Sequence, residues 1–166
     1  RVDDTPPVLI LKGDTLVKHI LNTEYQDQGA SATDETDGNL TQNIFVENTV
    51  NVDRVDRYII TYRVVDEAGN EAVPLQRAVN VYNQAGSWNG AYTAFEEMID
   101  GGSDTCSYMT NVNVDSLVNY RIVFYGFACN PEIAVYANIS DTLLIMPYQE
   151  YQDSLIFMSI QGSGWI

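Results

Sequence analysis

Cations are scarce in this chain. Eight Lys and Arg stand against 23 Asp and Glu among 166 residues, with one His and two Cys, for a formal net charge of -15. Such a deficit repels phosphate backbones and anionic lipid, because binding to either depends on Lys and Arg neutralising the partner. Nucleic acid is therefore excluded as a partner. The lone histidine, His19, lies in the alternating stretch Thr15-Leu-Val-Lys-His-Ile-Leu21 and reads as an ordinary polar strand position. No Ser or Cys has a plausible second partner, so a hydrolytic triad is not supported. The two cysteines, Cys106 and Cys129, have a separation that fits no metal motif. They read either as a cross-strand disulfide made in an oxidising compartment or as two buried free thiols, which pack as small hydrophobes. No run of 18 apolar residues exists, so no transmembrane helix is expected. The acidic residues are scattered and 45% of the chain is apolar, so the charge keeps a folded protein soluble and does not signal disorder.

What is present is turn chemistry set between alternating strands. Asp34, Asp37, Gly38 and Asn39 crowd residues that bond nearby backbone amides or tolerate positive φ, and Asp66 to Asn70 repeats that chemistry. Between them, Tyr58, Ile60, Tyr62 and Val64 alternate with Ile59, Thr61, Arg63 and Val65, which is a strand period. Ala78-Val-Asn-Val-Tyr82 is again extended and alternating, so Asp66 to Asn70 is placed in the connection of a β-hairpin.

These residues resemble a known family. The order Asp3-x-x-Pro-Pro7, an apolar strand, Tyr25-x-Asp-x-Gly-Ala-x-Ala-x-Asp34, Asp37-Gly-Asn-Leu-Thr41, then Tyr58-x-x-x-Tyr62-x-x-x-Asp66-x-Ala-Gly-Asn70 is similar to the bacterial immunoglobulin-like domain of surface and secreted proteins. Arg57 stands where that family usually has glycine. Over residues 3 to 82 the resemblance implies a sandwich of about seven short antiparallel strands, acting as a spacer or presentation module without catalytic residues.

A break near Asn83-Gln-Ala-Gly-Ser-Trp-Asn-Gly90 divides the chain, giving residues 1–83 as the immunoglobulin-like sandwich, 84–89 as a linker and 90–166 as a second antiparallel β domain. Short extended runs at Gly90 to Phe95, Tyr108 to Val114, Tyr120 to Phe127, Ile133 to Ile139, Leu143 to Met146 and Leu155 to Ile160 predict a β meander, either sandwich or barrel. Within it Ile133, Val135, Ala137 and Ile139 form one apolar face. Gly90-Ala-Tyr92, Met146-Pro-Tyr-Gln149 (read as a turn) and Gly162-Ser-Gly164 resemble the C-terminal β domain of lipoproteins from Gram-negative gut bacteria. In that pattern further strand follows the Gly-Ser-Gly, so Trp165-Ile166 reads as a strand beginning, with the domain either C-terminally truncated or its final strand paired with another element.

The fold class is thus all-β, with two domains. Three candidate sites follow. Asp34, Asp37, Asp66 and Asn70 offer oxygen ligands that calcium accepts from flexible loops, although each side chain could equally cap its own turn and need no ion. Tyr125, Tyr136 and Asn138 could form a sugar-stacking platform, although such aromatics also fill cores and interdomain seams. Glu96, Glu97 and Asp100 are adjacent carboxylates of the type glycosidases use, and read here as a solvated acidic strand end. Asp14-Thr-Leu16, Asp115-Ser-Leu117, Asp141-Thr-Leu143 and Asp153-Ser-Leu155 resemble O-glycosylation acceptors of exported proteins, or equally a turn acid leading into a strand. Arg1 begins in a Pro-containing extended segment, as expected of a mature piece relieved of a leader and tether. The expectation is a noncatalytic module of an exported, outer-membrane lipoprotein at the cell surface or periplasm, its lipid anchor outside these residues. Its partner is either a glycan in nutrient capture or, for a structural or adhesive spacer, another surface protein.

Overall fold

A computed structural model describes residues 3–97, 105–127, 130–152 and 157–165. The chain divides into two compact units, Arg1–Tyr82 and Asn83–Ile166.

The first unit carries seven strands: β1 (Val8–Leu11), β2 (Leu16–Ile20), β3 (Ala30–Asp34), β4 (Gly38–Asn39), β5 (Phe45–Asn48), β6 (Asp56–Arg63) and β7 (Leu75–Tyr82). They form two sheets, β1-β3-β4 and β2-β7-β6-β5. Along β6 and the residue after it, Ile60, Tyr62 and Val64 are buried and Arg63 is exposed, while Thr61 on the other face is also covered, at 8% exposure. Ile60 and Tyr62 meet Ala30 of the other sheet together with Leu21, Val79 and Val81, and Val64 packs with Ala32, Leu40 and Ala72, so the core lies between the sheets. Each buried aliphatic there contributes about 1.5–3 kcal/mol relative to an exposed one. Arg57 is an exposed strand residue opposite Asn80, with no turn at that point.

One pair departs from the antiparallel expectation. After β1 pairs with β3, the chain turns through Lys12-Gly13-Asp14-Thr15 and β2 pairs parallel with β7, from Leu16 opposite Ala78 to Ile20 opposite Tyr82. Gly13 has φ 78° at this change of sheet, a conformation that glycine adopts without a Cβ penalty. The chain keeps its direction while exchanging sheets, and that places β2 beside the last strand.

Arg77 fixes the same corner from inside. It is 1% exposed and ion-pairs with Asp27. Its guanidinium also donates to Tyr62 Oη at 3.0 Å, Asp14 O at 2.8 Å and Lys12 O. Asp27 in turn accepts from Tyr62 Oη at 2.7 Å and from the Gly29 amide at 2.9 Å. A buried arginine is tolerable only with its donors matched this way.

The second unit opens with a 3-10 helix (Gln84–Trp88) and continues in six strands: β8 (Gly90–Glu97), β9 (Thr105–Val114), β10 (Arg121–Phe127), β11 (Asn130–Ser140), β12 (Leu143–Gln152) and β13 (Phe157–Trp165). They form one sheet in meander order, β13-β12-β11-β10-β9-β8, all antiparallel. The result is one six-stranded antiparallel meander among the described residues. Residues 84–89 are not a free linker. Ala85 is 1% exposed within the cluster of Val112, Ile122 and Ala137, and Trp88 packs against the same cluster.

Asn83 anchors that helix. Its Nδ2 donates to Asp115 O, Val118 O and Arg121 O at 2.8, 2.9 and 3.2 Å, and its Oδ1 accepts from the Ala85 and Tyr120 amides at 2.9 Å each. One buried side chain thereby ties the helix to the β9–β10 connection.

Two strand assignments are corrected. Met146-Pro-Tyr-Gln149 is not a turn: β12 runs through it with a register shift against β13 between Met146 and Gln149. Pro147 brings no N–H to a ladder, and the Gln149 side chain substitutes for one, accepting from Tyr136 N at 2.9 Å and donating to Tyr136 O at 2.8 Å. Gly162-Ser-Gly-Trp165 lies within β13, so Trp165 continues a strand and does not begin one.

Candidate functional site

The two acidic turns of the first unit lie at one end of the sandwich. Asp34 ends β3, and its Oδ1 accepts from the Thr36 and Asp37 amides at 2.7 and 3.0 Å. Asp37 faces the other turn, its Oδ2 accepting from the Glu67 amide at 2.8 Å. Asp66, 7% exposed, holds Asn70 through that residue's backbone and side-chain amides at 2.7 and 2.8 Å. Burial pulls the Asp66 carboxyl upward, but the hydrogen bonds from Asn70 and from the Gly69 and Ala68 amides prevail, and its pKa is lowered.

The expected ligand set is only partly assembled. Carboxylate oxygens of Asp34 and Asp66 converge with one of Asp3, all within 4.8 Å of one another. Asp37 and Asn70 instead serve as neighbours that cap and brace. Asp3 was missed from sequence, although it is the acid of the Asp3-x-x-Pro-Pro7 phrase. Only folding brings it 31 and 63 positions along the chain to its companions.

The second candidate lies on the sheet of the second unit. Val123 pairs with Tyr136, Arg121 with Asn138 and Tyr125 with Asn111, and directly opposed residues share a face. Tyr125, Tyr136 and Asn138 therefore project together, with Asn111 and Asn113 beside them. Their availability differs. The Arg121 guanidinium carbon lies 4.2 Å from the centre of the Tyr136 ring, a cation–π distance. Arg121 Nε also donates to Asn138 Oδ1 at 3.1 Å.

Tyr125 remains 47% exposed. It precedes Gly126, whose φ of 75° marks a bulge where β10 slips register against β11. Bulges re-aim the side chains beside them. Next to Tyr125 opens a hollow of 240 Å³ bordered by Met109, Asn111, Asn130 and Pro131. The opposite face is apolar, with Ile133, Val135 and Ala137 at 0–2% exposure, as their alternation in the sequence requires.

The remaining sequence candidates have plain settings. His19 Nε2 lies 3.1 Å from Thr23 O, and its ring meets Tyr25 edge-on at 5.0 Å. Cys106 is in disulfide form, which removes the free-thiol reading for that residue; Cys129 lies outside the described residues. Asp100 and Asp153-Ser-Leu155 also lie outside them. Thr15, Ser116 and Thr142 of the other three acceptor-like tripeptides are exposed. Asp115 Oδ1 caps its own turn through the Leu117 and Val118 amides at 2.7 and 3.1 Å.

Two facing sheets, a sheet-exchanging first strand and an Asp-rich turn pair define an immunoglobulin-like β-sandwich. Residues 9–81 match the family described as bacterial surface protein, Ig-like domain. No curated protein matches the chain. Among solved structures it is similar to the lipoprotein BT2262 from Bacteroides thetaiotaomicron, at 15% identity and a TM-score of 0.45, covering 90% of this chain and 81% of that one. It is also similar to the CBM51-2 and INT domains of Clostridium perfringens ZmpB, in complex with GlcNAc, at 16% identity and a TM-score of 0.38. That match covers 74% of this chain and 30% of the clostridial one.

Proposed function

We propose that this chain is a noncatalytic module of an exported surface protein, in which the Ig-like unit is a spacer and the second unit takes a glycan in a nutrient-capture system. The observation that carries the reading is Tyr125, a half-exposed ring aimed by the Gly126 bulge beside a hollow edged with the amides of Asn111 and Asn130. Sugars present apolar C–H faces ringed by hydroxyls, and an open aromatic face with flanking amides complements both. Export and surface display are supported by the family match of residues 9–81 to bacterial surface proteins. A lipid anchor to the outer membrane would lie outside these residues.

A second reading, a structural spacer or protein-binding adhesion module, is favoured by one observation: Arg121 occupies Tyr136 and Asn138. A glycan array probed with residues 1–166 separates the two. Reproducible binding, weakened about tenfold or more by Tyr125→Ala and less by Tyr136→Ala, supports glycan capture, since about 1.4 kcal/mol corresponds to a factor of ten. No binding, or binding indifferent to Tyr125→Ala, leaves the spacer reading in place.

A further inference from the structure

The turn-capping roles of Asp3, Asp34 and Asp66 account for only part of their chemistry. Asp3 Oδ1 accepts from the Thr5 amide at 3.1 Å and Asp34 Oδ1 from the Thr36 and Asp37 amides, while both oxygens of Asp66 accept from Asn70. The second oxygens of Asp3 and Asp34 are buried. Asp34 keeps some exposed surface as a residue, yet it is buried at the cluster. Its Oδ2, like Asp3 Oδ2, is sealed from solvent and accepts no hydrogen bond. Buried carboxylate oxygens without donors are strongly disfavoured, and more so when three carboxylates crowd together. Among the described residues no Lys or Arg forms an ion pair with any of the three.

We propose that Asp3, Asp34 and Asp66 hold a calcium ion that clamps one end of the Ig-like unit. The donors are all hard oxygens, the class calcium prefers, and convergence within 4.8 Å fits the span across a shell of Ca–O distances of about 2.3–2.6 Å. Magnesium requires a tighter octahedron at about 2.0–2.1 Å and gives up its waters reluctantly. The three ligands come from the segment before β1, the end of β3 and the β6–β7 connection. An ion there joins the two sheets and fastens the entering chain to both. Asn70 is placed to orient the site, since its Nδ2 donates to Asp66 Oδ2 and, at 3.3 Å, to Asp3 O. A cleft bordered by Thr5, Pro6 and Glu35 opens next to Asp34.

The test uses residues 1–166 stripped with EDTA and returned to chelator-free buffer. Calcium chloride and magnesium chloride are compared by calorimetric melting, and calcium binding is measured by isothermal titration. Because only the folded state offers the site, calcium at ten times its Kd should raise the first unit's Tm by on the order of 5–10 °C, with one ion bound per chain. Asp34→Asn keeps an acceptor for the Thr36 and Asp37 amides while removing one charge. It should melt at or above the metal-free parent and lose the calcium shift. Asp3→Asn, which touches only the Thr5 cap, should lose most of it as well. No calcium shift in the parent overturns the proposal, as does an unchanged shift in both variants. An equal response to magnesium overturns the assignment to calcium.

Discussion

Replacing Arg77 by methionine tests the account of the first unit's core most directly. The change preserves much of the side chain's length while removing every donor, so Asp27 loses its ion-pair partner and the carbonyls of Lys12 and Asp14 lose theirs. Removing one member of a buried pair costs about 3–5 kcal/mol. Asp27 keeps the Tyr62 hydroxyl and the Gly29 amide, and its side chain is 17% exposed, so the lower end applies. For a unit of this size each kcal/mol moves Tm by about 4–8 °C, giving a fall of about 12–24 °C. Differential scanning calorimetry reads the shift. Both tryptophans, Trp88 and Trp165, lie in the second unit, so indole fluorescence serves as an internal marker for that unit. Adding Asp27→Asn should recover part of the loss, because the stranded charge is removed and the two sites are coupled. A loss below about 1 kcal/mol for Arg77→Met, or strict additivity with Asp27→Asn, would refute the reasoning.

Asn83→Ala should destabilise the second unit by about 2–4 kcal/mol, since it strands buried partners at about 1–3 kcal/mol each with partial relief by water. Hydrogen exchange should speed at the Ala85 and Tyr120 amides while the first unit is unchanged, and unaltered protection there would contradict the anchoring role. The Asp27 network also sets a pH window. Burial raises the Asp27 carboxyl, but hydrogen bonds from Tyr62, Arg77 and Gly29 outweigh it and leave its pKa below the usual 3.8. Burial and the hydrogen bond to Asp27 push the Tyr62 hydroxyl well above 10.0. A lowered carboxylate gives stability that is present above about pH 4 and lost on acidification, whereas a raised phenol gives stability that is present below about pH 10 and lost as pH rises past it. Tm-versus-pH curves should therefore flatten on the acid side in Asp27→Asn and on the alkaline side in Tyr62→Phe, and parallel curves for parent and variants would count against the network.

The parts of the fold legible in sequence are those where one local rule decides the outcome. Alternation along Tyr58 to Val64 and Ile133 to Ala137 gave the buried faces, and Asp-Gly-Asn chemistry gave the turns, because each depends only on neighbours within a few residues. The parallel β2–β7 pair was hidden because the residues that cause it, Gly13 and the carbonyls held by Arg77, act between segments distant along the chain. Pro147 looked like a turn because a proline in a strand loses its ladder donor; the compensating amide of Gln149 is a tertiary event. Residues 84–89 read as a linker from Gly, Ser and Asn content, yet Ala85 and Trp88 among them belong to a core. The acidic site was half legible. Asp34 and Asp66 stood out as turn acids, whereas Asp3 could join them only once the sandwich had closed.

The direction of β2 has a mechanical consequence. Leu16 at the start of β2 and Tyr82 at the end of β7 lie at opposite ends of one parallel ladder. Tension applied through the two ends of this unit runs along the strands and loads all the ladder's hydrogen bonds at once. An antiparallel pair stretched from its adjacent ends would open one bond at a time. If the unit acts as the proposed spacer on a cell surface, the exchange of sheets at Gly13 makes it a tether that yields in shear. Single-molecule stretching should show the first unit failing at high force in one step. Gradual low-force unravelling would contradict it.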